Sequence, residues 1–412
     1  MLKAIRLSPG TQQRLLKGES RLPKRNILFV IIQMEMGGAE KLVYNLINKL
    51  DRTRFNPSIA YFYGSKAIKD FERLNIPIFQ VRKDKKLDFS TFRQFNSIIK
   101  KENIDIVNAH HFMSLIYTFY GCKMSNTIKL IYTEHSEWEV DKISSKWLPI
   151  SKFIFSRIDK IIGVNSDVTK SLTKKFRIPA PKAVTINNGV DLMHFGNQFD
   201  KDEIKKAIGL DLKRQVIGIV ANFRKNKNHL FLLRAFAEIL VDFKEVHLLL
   251  IGQGFSSDTE NSENDIRQFI HNHKIDNHVT ILGYRSDIAQ ILSILDIFCL
   301  TSYKEGLPIS LIEAMASGKP VIGTDVEGIR NTIVHEKNGY LVEINNIEEL
   351  KRAILTLLKD NDIKIKFAQE SKKQASEKYS LDACILKYTQ LFNDLFINTS
   401  QDSSLHTRQS LL

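Results

Sequence analysis

The chain has 412 residues, more than one ordinary hydrophobic core supports, so two domains are expected. Hydrophobic residues make up 43% and charged residues 26%, the balance of a globular protein and not of a disordered or fibrous one. Net charge is +14, and no apolar run approaches the roughly 18–20 residues of a spanning helix, so no transmembrane helix is expected.

Residues 1–25 are basic and polar and lack the apolar stretch of a signal peptide, which predicts a flexible leader. From Asn26 onward, strand-length apolar runs alternate with amphipathic helical patterns, the sign of an α/β protein with parallel sheets. Asn26 to Ile32 reads as a strand. A Gly-Gly loop follows, then a helix with Leu42, Val43, Leu46, Ile47 and Leu50 on one face. Ser58 to Phe62, Ile78 to Val81, Ile106 to Ala109, Lys129 to Thr133, Lys160 to Val164 and Ala183 to Ile186 read as further strands. Asn187 to Asp191 has turn chemistry, and the polar stretch Asn197 to Lys206 is the expected linker.

The pattern then restarts. Gln215 to Ala221 reads as a strand, followed from about Asn228 by a helix with Leu232, Ala235, Phe236 and Ile239 inward. Val246 to Ile251, Val279 to Leu282, Asp296 to Leu300 and Pro320 to Gly323 read as strands, followed by two helical patterns. A last helix, Leu381 to Phe396, is apolar all round. The expected domains are 26–195, joined by the terminal helix 380–397, and 196–379, with a polar tail at 398–412.

Charge is unevenly spread. Residues 1–195 hold 33 Lys and Arg against 17 Asp and Glu, a net of +16, whereas residues 196–412 carry a net of −2. Arg82-Lys83, Lys85-Lys86, Lys100-Lys101 and Lys174-Lys175 are local clusters. Such a half suits an anionic membrane surface or an anionic acceptor. No nucleic-acid-binding motif accompanies it, so no nucleic-acid partner is expected. The three cysteines, Cys122, Cys299 and Cys384, lie far apart and suggest reduced core thiols in a cytosolic protein, with no metal cluster. Asp360-Asn361-Asp362 is explained by a helix stop followed by an N-cap, and no metal is assigned to it.

The richest segment is Glu305-Gly306-Leu307-Pro308-Ile309-Ser310-Leu311-Ile312-Glu313. Two carboxylates sit eight positions apart, one before an apolar helix and one inside it. A loop entering a helix offers backbone N–H groups to a phosphate. Glu305 can face the reacting end of a ligand, and Glu313 can accept from hydroxyls. A nucleotide-sugar has the matching shape.

This segment resembles the E-x7-E signature of the retaining glycosyltransferases related to sucrose synthase and to bacterial lipopolysaccharide and mannosyl transferases. The likeness continues through Ala314 to Asp325 and resumes at Asn338-Gly339-Tyr340-Leu341-Val342. It covers about Asn26 to Phe396. The implied fold is the glycosyltransferase B type, α/β with two Rossmann-like domains facing across a deep cleft. The first would bind the acceptor and the second the nucleotide-sugar.

The resemblance also implies roles for single residues. Glu313 would hold the ribose. Glu305, with the backbone N–H groups from Gly306 to Ile309 (a segment that includes Leu307 and Pro308), would hold sugar and phosphates. Arg224 and Lys227, in Asn222-Phe223-Arg224-Lys225-Asn226-Lys227, would neutralise the leaving diphosphate. Asn222 stands where the family commonly has an arginine, so Arg224 would supply the guanidinium. Gly37 and Gly38, after the first strand, would lie by the donor phosphates. Tyr284 and Arg285 would contact the base through their backbone. His110 would support the sugar, with His111 and His135 as alternatives. Gly252-Gln253-Gly254 matches the family's strand end but lacks the third glycine of a dinucleotide fingerprint.

The implied activity is retaining, metal-independent hexosyl transfer without a cofactor, from a nucleotide-sugar to a glycan or lipid-linked acceptor. Cell-surface polysaccharide synthesis is the setting, with a cytoplasmic enzyme peripheral at the inner face of the plasma membrane. A nucleotide-sugar epimerase of similar shape, a silent nucleotide-sugar-binding subunit and a basic nucleic-acid-binding protein are the rivals.

Overall fold

The structure is a computed structural model describing residues 23–35, 37–83, 88–123, 127–254 and 258–409. The leader up to residue 22, Met36, the Lys85-Lys86 cluster and Ser257 lie outside the described residues.

Two parallel sheets carry the fold. The first has seven strands in the order β3-β2-β1-β4-β5-β6-β7. They are β1 (Arg25–Val30), β2 (Phe55–Tyr61), β3 (Ile78–Gln80), β4 (Ile106–His110), β5 (Lys129–Glu134), β6 (Lys160–Gly163) and β7 (Ala183–Thr185). The second has the order β10-β9-β8-β11-β12-β13. Its strands are β8 (Gln215–Val220), β9 (Val246–Ile251), β10 (Val279–Gly283), β11 (Ile297–Leu300), β12 (Val321–Thr324) and β13 (Gly339–Val342). Register is parallel at β1/β2, β1/β4, β8/β9, β8/β11 and β12/β13.

The central strands are rich in apolar residues, as expected where helices cover both faces of a parallel sheet. Ile27 through Ile31 and Leu248 through Leu250 are fully buried. The chain divides into two compact units. One comprises Met1–Thr133, Arg157–Lys160 and Leu395–Leu412; the other comprises Glu134–Ser156 and Ile161–Asp394.

In each sheet the strand order reverses direction beside its first strand, at β1/β4 and at β8/β11. A crevice opens there at the carboxyl ends of the strands. Several of the residues singled out from sequence lie at these two points, while Tyr284 and Arg285 follow β10 and His135 follows β5. Gly37 and Gly38 follow β1, and His110 ends β4. Arg224 and Lys227 follow β8, and Glu305 follows β11.

Three expectations are corrected. The stretch expected as a linker contains the helix Lys201–Ala207, because Asp200 caps it, accepting from Asp202 N at 3.1 Å and Glu203 N at 3.0 Å. The strand β13 was not among those read from sequence; it is four residues long and only half-buried at Tyr340 and Leu341. The terminal helix runs Leu381–Gln409, so most of the stretch expected as a polar tail is helical.

Asp360 ends one helix and caps the next, its side chain accepting from Ile363 N at 2.9 Å. The D-x-D triplet is a helix junction. Cys122, Cys299 and Cys384 are free thiols and buried. Among the described residues no helix is long and apolar enough to cross a membrane.

Candidate active site

The second sheet builds the denser constellation. After β8 the chain forms a single turn, Lys225–Lys227, then the helix His229–Asp242. After β11 it forms the loop Thr301 to Pro308, then the helix Ile309–Ala316. Because β8 and β11 are neighbours, the two loops touch. Tyr303 N donates to Asn226 O at 2.8 Å, and Thr301 Oγ1 donates to Lys227 O and Asn228 O at 3.2 and 3.1 Å.

These bonds present Lys227 to Glu305. Lys227 Nζ lies 2.6 Å from Glu305 Oε1, and Ser302 Oγ donates to the same oxygen at 2.5 Å. The carboxylate side chain is 10% exposed and the lysine 23%, so the pair is largely withdrawn from water. A low local dielectric strengthens such a charge-assisted bond.

Pro308 caps the next helix without a side-chain bond. Among the described residues, no protein group accepts from the N–H groups of Gly306, Leu307, Ile309 and Ser310. A row of open donors at a helix start suits an anion. Glu313, one turn into that helix, is 2% exposed.

Gly306 is where sequence alone was least informative. A Cβ there would come closer than 3 Å to the His135 carbonyl oxygen, and a Cβ on Gly328 would do the same to the oxygens of Gly306 and Glu305. Asn165 Nδ2 donates to Gly306 O at 2.9 Å. The loop is therefore held between two backbone segments and the Asn165 side chain. The structure brings the His135 peptide to the Glu305 loop.

Beside it, Glu137 shares a hydrogen bond with Glu327. Burial, then that neighbour, then Asp167 and Asp141 raise the Glu137 carboxyl well above its ordinary range. Ser302, Asn165, Gly328 and this carboxyl pair were missed in the sequence. For Asn165 a signal existed: a capping residue directly after a strand.

Other predicted residues have partners of their own. The Arg224 guanidinium meets Asp258, with Nε 2.6 Å from Oδ2. Arg285 pairs with Asp287 through two bonds of 2.8 and 2.5 Å, while Tyr284 is exposed. Gly252, at φ +149°, takes a conformation that favours glycine, and its N–H donates to Gly283 O at 2.9 Å. Gly254 N–H is spent on Glu263 Oε2 at 2.8 Å. The Gly-Gln-Gly turn is thus held by the protein itself.

In the other unit, Gly37 caps the helix Gly38–Lys49. His110 is buried, and desolvation, then His111, lowers its pKa to about 3. His111 has a left-handed backbone, φ +68°, and burial lowers its pKa to about 4. Both rings are neutral near pH 7, so they serve as hydrogen-bonding groups and not as cations.

Glu40, in the first turn of the helix Gly38–Lys49, is also buried. The helix start favours an ionised carboxylate, yet burial outweighs this. Desolvation, opposed by backbone bonds and reinforced by Glu35, raises its pKa from 4.5 to about 7. A raised carboxyl pKa means that the fold favours the proton. That contribution is complete below about pH 4.5 and is lost as pH rises through 7. Glu40→Gln is expected to raise stability by up to about 3 kcal/mol at pH 8.5 and by little at pH 4.5. Thermal melts across this range check it, and a pH-independent difference would contradict the cause given.

Comparison with known proteins follows the same lines. Residues 200–377 match the family model "Glycosyl transferases group 1", and residues 36–194 match "Glycosyltransferase Family 4". The N-acetyl-alpha-D-glucosaminyl L-malate synthase of Bacillus anthracis is 26% identical over 312 residues, covering 75% of this chain and 79% of that protein. The UDP-Gal:alpha-D-GlcNAc-diphosphoundecaprenol alpha-1,3-galactosyltransferase of Escherichia coli is 25% identical over 324 residues, covering 76% and 81%. Anabaena HepE, solved in complex with UDP and glucose, has a TM-score of 0.79 at 20% identity, covering 89% of this chain and 99% of that one. Residues 200–377 thus match the group 1 glycosyltransferases and residues 36–194 a second glycosyltransferase family, and the chain is a glycosyltransferase with the two-part α/β fold of the glycosyltransferase B type.

Proposed function

We propose that the protein moves a sugar from a nucleotide-sugar to a hydroxyl of a glycan or lipid-linked acceptor, with retention at the anomeric carbon. The observation that carries this is the Lys227–Glu305 contact of 2.6 Å beside the open N–H row of Gly306 to Ser310. Lys227 is placed to balance a leaving diphosphate once one is bound, and Glu305 to hold both lysine and sugar. Arg224 adds a second cation if the diphosphate draws it from Asp258. Glu313 holds the ribose hydroxyls, and His110 supports the sugar. In a one-face mechanism the leaving phosphate takes the acceptor proton, and the protein contributes positioning and charge. The Escherichia coli relative, by its name, uses UDP-galactose and a lipid diphosphate acceptor, which supports a uridine donor and a lipid-linked acceptor here.

A thermal-shift screen against UDP-, GDP- and ADP-sugars tests the proposal. The donor is the ligand that raises the melting temperature, and no shift with any of them would remove the basis of this assignment. Transfer is expected to proceed without a metal ion; full loss of turnover on chelation, restored by Mn²⁺ or Mg²⁺, would refute that.

Peripheral membrane docking is part of the same proposal. Residues 1–195 carry a net +16. On and before the helix Leu148–Arg157, Trp147, Ile150 and Phe153 are 42%, 51% and 53% exposed. Lys142, Lys146 and Lys152 lie in the same stretch. Aromatic and aliphatic side chains beside lysines suit the interface of an anionic bilayer. Vesicle sedimentation is expected to show binding to anionic but not neutral vesicles, weakening as salt shortens the Debye length to about 8–10 Å. Equal binding to both vesicle types, or none at low salt, would count against it.

A further inference from the structure

We infer that Asn165 is a positioning residue of the donor loop: its side-chain amide, bonded to the Gly306 carbonyl, aims the Leu307 N–H at the donor. This rests on the reading that the Glu305 loop holds the donor.

Asn165 follows β6 and is buried. Its Oδ1 accepts from Asp167 N at 3.0 Å and Val168 N at 2.8 Å, capping the helix Ser166–Phe176. Its Nδ2 donates to Gly306 O at 2.9 Å. The orientation of the amide is forced. One end faces two N–H donors and must be the oxygen; the other faces a carbonyl and must be the nitrogen.

The Gly306–Leu307 peptide is trans. In a trans peptide the C=O and N–H point in opposite directions. Holding Gly306 O on Asn165 therefore turns Leu307 N–H to the far side, where no group among the described residues accepts from it. Rotation is blocked on two flanks, by the His135 carbonyl against Gly306 and by Gly328 against the oxygens of Gly306 and Glu305. A cap alone would not require asparagine, since aspartate and serine cap as well. Only the second bond needs an N–H.

The test follows from that asymmetry. Asn165→Asp keeps the shape and the capping oxygen. When ionised it repels Gly306 O; when protonated it donates as the amide does. Asn165→Ser keeps a capping oxygen but is too short to reach Gly306. Each variant is compared with wild type at pH 5.5 to 8.5 by calorimetric titration with UDP and by turnover of UDP-glucose and UDP-galactose. GDP or ADP and their sugars replace these if the thermal screen selects them. The ratio to wild type cancels titration of the surrounding groups: His135, Glu137 and Asp141, then Asp167, Lys170 and Lys175 on the capped helix, and Glu305, Glu327 and Arg330.

The expected result for Asn165→Asp is about a tenfold loss in kcat/KM and in UDP affinity at pH 8.5, smaller at pH 5.5 as the carboxyl begins to take up a proton, with a melting temperature near wild type. Asn165→Ser loses a similar factor at every pH. Wild-type behaviour of both variants, a pH-independent ratio for Asn165→Asp, or loss only in step with melting temperature would overturn the inference. Should Glu305→Gln also leave turnover and UDP binding intact, the donor reading itself has failed; should Glu305→Gln lose turnover while Asn165→Asp does not, only the role of Asn165 has.

Discussion

Glu305→Gln is expected to lower kcat about 100-fold or more while nucleoside diphosphate binding changes much less. Glutamine keeps the shape but removes the charge that meets Lys227 Nζ at 2.6 Å and Ser302 Oγ at 2.5 Å. In the proposed reaction the lysine would be left without its counter-ion where the leaving diphosphate gains charge. Loss of one preorganised electrostatic partner of this kind costs about 100- to 1000-fold in kcat. Glu313→Gln acts differently. It is 2% exposed and one turn inside the helix, and in the proposed role it holds hydroxyls that are bound equally before and during transfer. A bond to a charged group is worth about 1.5–3 kcal/mol, which appears in KM and donor affinity. Steady-state kinetics of both variants, with calorimetric titration of the nucleoside diphosphate, separate the two. Abolished nucleotide binding in Glu305→Gln with unchanged KM in Glu313→Gln would reverse the assigned roles. Wild-type turnover in both would end the case for this loop as the reaction centre.

Gly306→Ala is the second large effect. One methyl group is added, and it has nowhere to go, because its position overlaps the His135 carbonyl oxygen. A backbone oxygen cannot swing aside as a side-chain tip can. Either the Glu305 loop or the chain after β5 must shift. Overpacking of this kind costs about 1–3 kcal/mol of stability. The cost to activity is larger, since a displacement of about 1 Å between reacting groups lowers rates about 100-fold. Melting temperature and kcat/KM, measured together, are expected to fall in that unequal proportion. Unchanged turnover would show that the loop reaches its working position without this contact.

The parallel sheets were legible because their central strands are buried and mostly apolar, such as Val246 to Ile251, and are bounded by turn residues. The motif residues were legible for a related reason. Lys227 and Glu305 each follow a strand, and strand ends are where an open α/β sheet exposes chemistry. Their contact is another matter. It arises because β8 and β11 are neighbours, a fact of sheet order that periodicity does not carry. The bond from Asn165 to Gly306 joins residues 141 apart. The tight approaches at Gly306 and Gly328 depend on space that only folding defines. The helix Lys201–Ala207 was hidden by composition, because a lysine-rich turn reads as polar linker unless the Asp200 cap is given its due weight.

The three thiols have a practical consequence. A thiol reacts with maleimides and iodoacetamides only as the thiolate. Cys122, Cys299 and Cys384 are all buried, and burial raises each thiol far above its ordinary range, Cys384 to about 12. At neutral pH the folded chain therefore presents almost no thiolate to solvent. A single cysteine placed on the exposed helix position Val241 would carry the only label, with the unmodified protein as its own blank.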